Sequence, residues 1–186
     1  MTQERPIHIL GISGSLRSSS YNTALLRAAE ELLPVDVTME IVDLAGIPVL
    51  DIDEEIPFPE AVVRMRTAIA EADAVLIATP EYNSSISGAL KNALDWVSRS
   101  PQPPLAGKPV ALIGASTGLF GTARAQVQLR QVLTHLGALV LSKPEVMVPK
   151  AQEVFDENGR LTSESTRGIL QNLLRRQAAW TVRGAH

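Results

Sequence analysis

A chain of 186 residues, 45% of them hydrophobic and none of them cysteine, has material for one domain whose core needs neither disulfides nor thiolate-bound metal. Cysteine nucleophiles are excluded and a reducing compartment is suited, while a formal charge of -3 gives no overall basic field, so nucleic acid is not an expected partner. The opening Met-Thr-Gln-Glu-Arg-Pro starts no apolar leader and no run reaches the roughly 18 apolar residues of a membrane span. A soluble, cytoplasmic protein without membrane partners is expected.

In chain order, runs rich in Val, Ile and Leu at 7–12, 37–42, 74–79, 109–114 and 138–142 are short enough to be strands buried on both faces. Helical periodicity separates them. The first helix, 22–33, stacks Ala24, Leu25, Ala28 and Leu32 on one side. The acidic stretch 43–59 has no period and reads as a surface loop, with Asp51, Asp53, Glu54 and Glu55 in solvent rather than around a hard cation. A helix follows at 60–71, and another at 85–98 stacks Ile86, Leu90, Ala93, Leu94 and Val97. Trp96 falls outside that stripe, which predicts a second surface, such as a subunit interface, to cover it. Lys91 and Asp95 have the spacing of a surface ion pair.

Further helices are predicted at 122–136 and 163–182, with a tight hairpin at 154–161 around Asn158-Gly159. Five strands alternating with five helices imply an α/β domain over 1–186, with a parallel sheet and helices on both faces. In such sheets ligands sit beyond the strands' carboxyl ends, where strand order reverses. Segments 13–21, 79–85 and 115–121 follow strands one, three and four, and therefore converge on one edge.

The first of these segments places Ser13, Ser15, Arg17, Ser18, Ser19, Ser20 and Asn22 around a helix start. Exposed amides there favour an anion, hydroxyls add donors, and Arg17 offers a fork that grips phosphate. The glycines at 11 and 14 do not complete a dinucleotide fingerprint, so a terminal monophosphate suits the loop better than a pyrophosphate. In the second segment Pro80 fixes φ, Tyr82 offers an aromatic face and Asn83 both donor and acceptor, which suits a planar heteroaromatic ring. Ala115-Ser116-Thr117-Gly118-Leu119-Phe120-Gly121 brings small and hydroxyl-bearing positions to the same edge.

Three motifs in order carry a resemblance: Gly14-Ser15-Leu16-Arg17 with Ser20 and Asn22; Pro80-Glu81-Tyr82-Asn83 with Gly88, Leu90-Lys91-Asn92-Ala93 and Asp95-Trp96; and Arg124, Gln126 and Leu129-Arg130 before Lys143-Pro144-Glu145. Together they resemble the NADPH-dependent FMN reductases, a family that includes quinone and chromate reductases and azoreductase-like members. The resemblance implies a flavodoxin-like three-layer sandwich, its five parallel strands in the order 2-1-3-4-5, and FMN as cofactor. NADPH or NADH would be co-substrate, with hydride passing through FMN to a quinone, azo, chromate or flavin acceptor. It further implies that Ser15, Leu16, Arg17, Ser20 and Asn22 surround the FMN phosphate, with Tyr21 also among the cofactor-binding residues. Pro80, Glu81, Tyr82 and Asn83 would run along the isoalloxazine, and Ser116, Thr117 and Gly118 would close its other side. A homodimer or tetramer is implied, with flavin at the subunit boundary and Arg124, Arg130 and Glu145 as candidate interface ion pairs. Gly121-Thr122 stands where many members have two glycines.

No catalytic side chain is expected, because the cofactor carries the chemistry and the protein orients it. His8, His135 and His186 have neither metal-ligand nor triad spacing. Three other readings compete: a flavodoxin-like electron carrier without nicotinamide turnover, a signalling receiver domain, and a nicotinamide dehydrogenase using Asp43. The receiver reading lacks its acids, since Ser13-Gly14 and Thr79-Pro80 occupy their positions, and the dehydrogenase lacks its glycines.

Overall fold

The computed structural model describes residues 5–99 and 102–184. Strand β1 (Ile7–Ser13) leads into α1 (Tyr21–Glu31), β2 (Val37–Val42), α2 (Glu60–Glu71), β3 (Ala74–Ala78), α3 (Gly88–Ser98), β4 (Pro109–Ala115) and α4 (Ala123–His135). The chain continues through β5 (Leu139–Val140), β6 (Val146–Val148), the single-turn α5 (Ala151–Val154) and α6 (Glu164–Gly184). All pairings in the sheet are parallel and the order is β2-β1-β3-β4-β5, as expected.

Alternation along the strands sorts the core into two layers. Ile9, Leu76, Ile113 and Val148 pack with Leu25, Leu26, Leu170 and Leu174, so α1 and α6 cover one face. Leu10, Ile12, Ile77 and Leu112 pack with Ile69, Leu90, Leu94, Leu129 and Leu133, so α2, α3 and α4 cover the other. Burial on both faces explains why these strands read as continuous apolar runs.

The sheet has six strands, not five. The predicted 138–142 strand shortens to β5, which pairs Pro109 and Val110, while β6 pairs Ile113 to Ala115 further along the same edge. Three residues between Pro144 and Pro149 carry too little pattern to announce a strand, and only tertiary pairing with β4 makes them one.

Trp96 does not await a partner. It is 2% exposed, its indole N–H donates to the Pro48 carbonyl at 2.8 Å, and Phe58 meets its ring edge-on at 6.0 Å. The irregular segment after β2 is strapped across α3, with Asn92 also bonding the Leu50 amide and the Pro48 carbonyl. The expectation of a subunit surface over Trp96 is therefore corrected: the chain covers it itself. The same segment was expected to hold its acids in solvent. Asp51, Asp53 and Glu54 are exposed as expected, with Asp51 accepting from the Asp53 amide in a 3-10 turn, whereas Glu55 pairs with Arg99 at 2.7 Å, a contact that lowers its carboxyl pKa.

At the opposite end of the sheet from the loops of interest, Asp73 accepts from the His8 amide at 2.8 Å and from both terminal nitrogens of Arg5. Partial burial opposes its ionisation, but the His8 amide and Arg5 outweigh it and hold the carboxyl below its ordinary value. A depressed folded pKa gives stability present above the unfolded value of about 3.9 and lost as pH falls through the folded value. Asp73→Asn is expected to cost about 1–2 kcal/mol at neutral pH. In urea titrations its difference from wild type should close as pH drops below the ordinary Asp range.

Candidate functional site

The carboxyl edge beyond β1, β3 and β4 holds a cleft lined by Ser15, Arg17, Ser20, Tyr21, Asn22, Pro80, Glu81, Tyr82, Ala115, Ser116 and Thr117. It sits where β1 lies between β2 and β3, the point of reversal in strand order. Three connections meet here because particular contacts pin each one.

The β1–α1 loop is pinned through Gly14. Its amide donates to the Ala78 carbonyl at 2.8 Å, and its carbonyl accepts from Ser87 Oγ at 2.6 Å. A Cβ at this position would stand 3.0 Å from the Ala78 carbonyl and 3.1 Å from Pro80, so any side chain would wedge the first loop off the second. Ser20 caps α1, its side chain accepting from the Asn22 and Thr23 amides. Among the described residues the amides of Leu16, Ser18, Ser19 and Tyr21 have no acceptor in the chain, and the Arg17 guanidinium touches only Ser19 Oγ at 3.4 Å. Unspent donors at a helix start, with a free cation beside them, form an anion cradle.

Asn22 lines the cleft, and its side chain is engaged within the chain. It is 4% exposed, and its amide both donates to the Ala115 carbonyl at 3.0 Å and accepts from the Ala115 amide at 2.9 Å. Its polar atoms thus join the first loop to the third and are directed at backbone.

After β3, Tyr82 to Ser85 closes a tight turn in which the Tyr82 amide bonds the Ser85 carbonyl and the Ser85 amide the Tyr82 carbonyl, each at 2.9 Å. Asn83 and Ser84 take φ of 50° and 63°, the left-handed pair such a turn requires. Asn83 consequently sits exposed at the tip and does not line the cleft. Glu81 reaches sideways to α4: one carboxylate oxygen accepts from the Arg124 and Ala125 amides at 3.1 and 3.2 Å, and the other pairs with the Arg124 guanidinium at 2.6 Å. Thr122, at the head of α4, makes no capping bond, so Glu81 supplies the cap from another loop. Gln128 adds a second tie, bonding Ser85 Oγ and the Ser84 carbonyl.

The β4–α4 loop rests on β6. The Ser116 amide donates to the Val148 carbonyl, and the Ser116 and Gly118 carbonyls accept from Ala151 and Lys150. Thr122, in place of a second glycine, holds φ of 72° with its side chain fully buried against Gly114 and bonded to Gln126. Leu119 and Phe120 stand exposed on this loop, and Arg124 lies over the Phe120 ring at 4.4 Å.

Of the thirteen residues singled out from sequence, the cleft gathers Ser15, Arg17, Ser20, Tyr21, Asn22, Pro80, Glu81, Tyr82, Ser116 and Thr117, and leaves Leu16, Asn83 and Gly118 outside its lining. Arg124, Arg130 and Glu145 find partners within the chain, in Glu81, the Leu141 carbonyl and Lys143 respectively. Lys91 and Asp95 form the predicted pair at 2.7 Å. Ala115, named in the third loop, contributes through its backbone, and sequence reading missed Ser87, hidden inside a helix predicted to begin at 85 although a serine before Gly88-Ala89-Leu90 is a capping signal.

A doubly wound sheet with an anion cradle and an open, aromatic-edged cleft at its switch point defines a flavodoxin-like nucleotide-binding protein. The family model for NADPH-dependent FMN reductase matches residues 7–153, and the chain belongs to that family. It is 51% identical over 178 residues to an NAD(P)H-dependent FMN reductase of Pseudomonas aeruginosa, covering 95% of this chain and 96% of that protein. A quinone reductase of Escherichia coli K12 is 40% identical over 164 residues, 86% of this chain and 87% of its own. A solved flavoenzyme NAD(P)H:(acceptor) oxidoreductase from Paracoccus denitrificans superposes with a TM-score of 0.88 at 34% identity, covering 96% of this chain and 98% of that one.

Proposed function

We propose that this chain is an NAD(P)H-dependent FMN oxidoreductase that passes reducing equivalents from a reduced nicotinamide to a quinone or flavin acceptor. The observation that carries the reading is the cleft itself, where three loops meet around donors that the chain leaves unspent. The amides at the start of α1, with Ser15 and Arg17, would hold the phosphate. Pro80, Tyr82, Ser116 and Thr117 would border the ring. When bound, FMN supplies the two-electron redox chemistry. The chain's residues bind and orient it, and Glu81 and Asn22 keep the three loops in register.

Anaerobic titration of the FMN-loaded protein with NADPH and with NADH tests the assignment. Loss of the oxidised-flavin absorbance is expected; a bound flavin that neither nicotinamide reduces would return the chain to the electron-carrier reading. Arg17→Ala is expected to weaken FMN binding by about 1.5–3 kcal/mol, roughly tenfold to a hundred-and-fifty-fold. Its thermal stability should hold, because the side chain is exposed and barely engaged.

Residues 1–186 act in this proposal as one FMN-binding domain that works as a homo-oligomer. Leu16, Tyr82, Leu119 and Phe120, all more than half exposed around the cleft, supply apolar surface for a second subunit beside the ring. Sedimentation velocity reads this directly, and a monomer at working concentration would remove it. No helix among the described residues is long and apolar enough to cross a membrane. A cytoplasmic setting, with its pool of reduced nicotinamide, suits this activity.

A further inference from the structure

A cleft of about 350 Å³ that shares no residue with the first lies between the C-terminal part of α6 and the β5 edge of the sheet. Leu141, Arg176, Ala179, Trp180 and Arg183 line it. On α6, Arg176 and Arg183 stand about one turn either side of Ala179 and Trp180, so all four share one face of the helix.

Among the described residues neither of these guanidiniums, nor the indole N–H of half-buried Trp180, has a hydrogen-bond or ion-pair partner. No carboxylate lines the cleft, and α6 carries no acid after Glu164. Arg183 sits in the last turn, where a cation favours the negative end of the helix, but Arg176 lies two turns earlier and has no such reason to be there. In a chain with a formal charge of -3 the cleft is a local cationic patch with an indole between its charges. Arginine and tryptophan are the side chains that most often anchor a protein partner.

The strand beside the cleft is open. β5 ends the sheet order, and among the described residues no strand pairs with its outer side. The Leu139 and Leu141 amides donate inward to the Lys108 and Val110 carbonyls at 2.9 and 2.8 Å, so strand alternation turns the Val140 amide and carbonyl outward. Leu141 packs into the same layer as α6, and Leu139, on the same side, is 44% exposed. An extended segment laid along β5 would bond Val140 and turn alternate side chains toward Leu139, Leu141 and Trp180. On that face residues recur about every 7 Å, so acids on either side of an apolar residue stand about 13 Å apart. Arginines seven apart on a helix have backbones roughly 10 Å apart, and their long side chains cover the difference.

We propose that this cleft docks an extended acidic segment of a partner protein along the edge of β5, with carboxylates on Arg176 and Arg183 and an apolar side chain on Trp180 and Leu141. The acidic stretch of a second copy is a poor donor, because Ile52–Glu54 is held in a 3-10 turn. The proposal is independent of the FMN reading.

The probe is a dye-labelled peptide, Thr-Glu-Thr-Leu-Thr-Glu-Thr, capped at both ends, titrated into FMN-loaded protein and followed by anisotropy and by indole emission. Binding is expected to weaken with added salt, and about three- to tenfold in Arg176→Ala or Arg183→Ala. Quinone reduction by both variants should match wild type, because neither residue lines the cofactor cleft. The emission change should vanish in Trp180→Phe, whose remaining Trp96 is buried. A peptide with lysines for the glutamates should not bind. Nor should one N-methylated at alternate amides in either register, which keeps both acids but cannot pair with a strand. The proposal is overturned if wild type does not bind the acidic peptide, or if both arginine variants bind it as tightly as wild type. Equal binding of the N-methylated peptides or of adipate would overturn it in favour of a simple anion site. Arginine-dependent binding of phosphatidylglycerol vesicles without peptide binding would make the cleft a membrane contact instead, and an arginine-dependent sedimentation coefficient a contact between copies.

Discussion

Gly114→Ala is expected to destabilise the protein by about 3 kcal/mol or more, at the upper end of overpacking costs. A Cβ there, near the carboxyl end of β4, would lie 1.9 Å from Thr122 Oγ1 and 2.8 Å from the Thr79 carbonyl. The threonine side chain is one obstacle and the backbone another. Thr79 is held by its own amide bond to the Ile113 carbonyl at 3.0 Å, so the strand cannot yield without breaking sheet pairing. For a chain of this size the melting temperature should fall by roughly 6–12 °C. Adding Thr122→Gly removes the closer clash and the positive φ of a β-branched residue. The double variant should recover only part of the loss, because the carbonyl contact remains. Thermal unfolding of the single and double variants reads both effects, and an unperturbed single variant would refute this account of the Gly114–Thr122 pair.

Asn22→Ala should cost about 2–4 kcal/mol, since it deletes two buried hydrogen bonds and strands both polar groups of Ala115 away from water. Its signature separates two roles. A residue that grips phosphate leaves the apoprotein's stability untouched when removed, whereas a residue that joins two loops lowers it before any ligand is added. The structure favours the second outcome: urea unfolding of the apoprotein should show the loss, and FMN affinity should fall as a consequence of the loosened cleft. Asn22→Asp keeps the acceptor for the Ala115 amide but sets a carboxylate against the Ala115 carbonyl, so it should not rescue.

The layered architecture was readable because buried parallel strands write themselves as apolar runs and surface helices as stripes. Helix α2 matches its expected span at both ends. The three loops could be named for the same reason, since strand order alone brings their ends together. What the sequence hid was set by contacts between distant positions. Trp96 looked unpartnered on its own helix because its partners, Pro48 and Phe58, lie about forty residues upstream. Glu81 and Asn22 read as ligand groups because both are polar and stand in motif positions. Their partners are the amides of Arg124, Ala125 and Ala115, and backbone leaves no mark in a sequence. Strand β6 was hidden by brevity and flanking prolines.

The carboxylate that finishes the first turn of α4 comes from a position 43 residues earlier. Fraying of that helix and opening of the turn after β3 are therefore one event, not two. Exchange of the Arg124 and Ala125 amides with solvent deuterium would keep pace with that of Tyr82 and Ser85, and a ligand that clamps the turn would slow all four together.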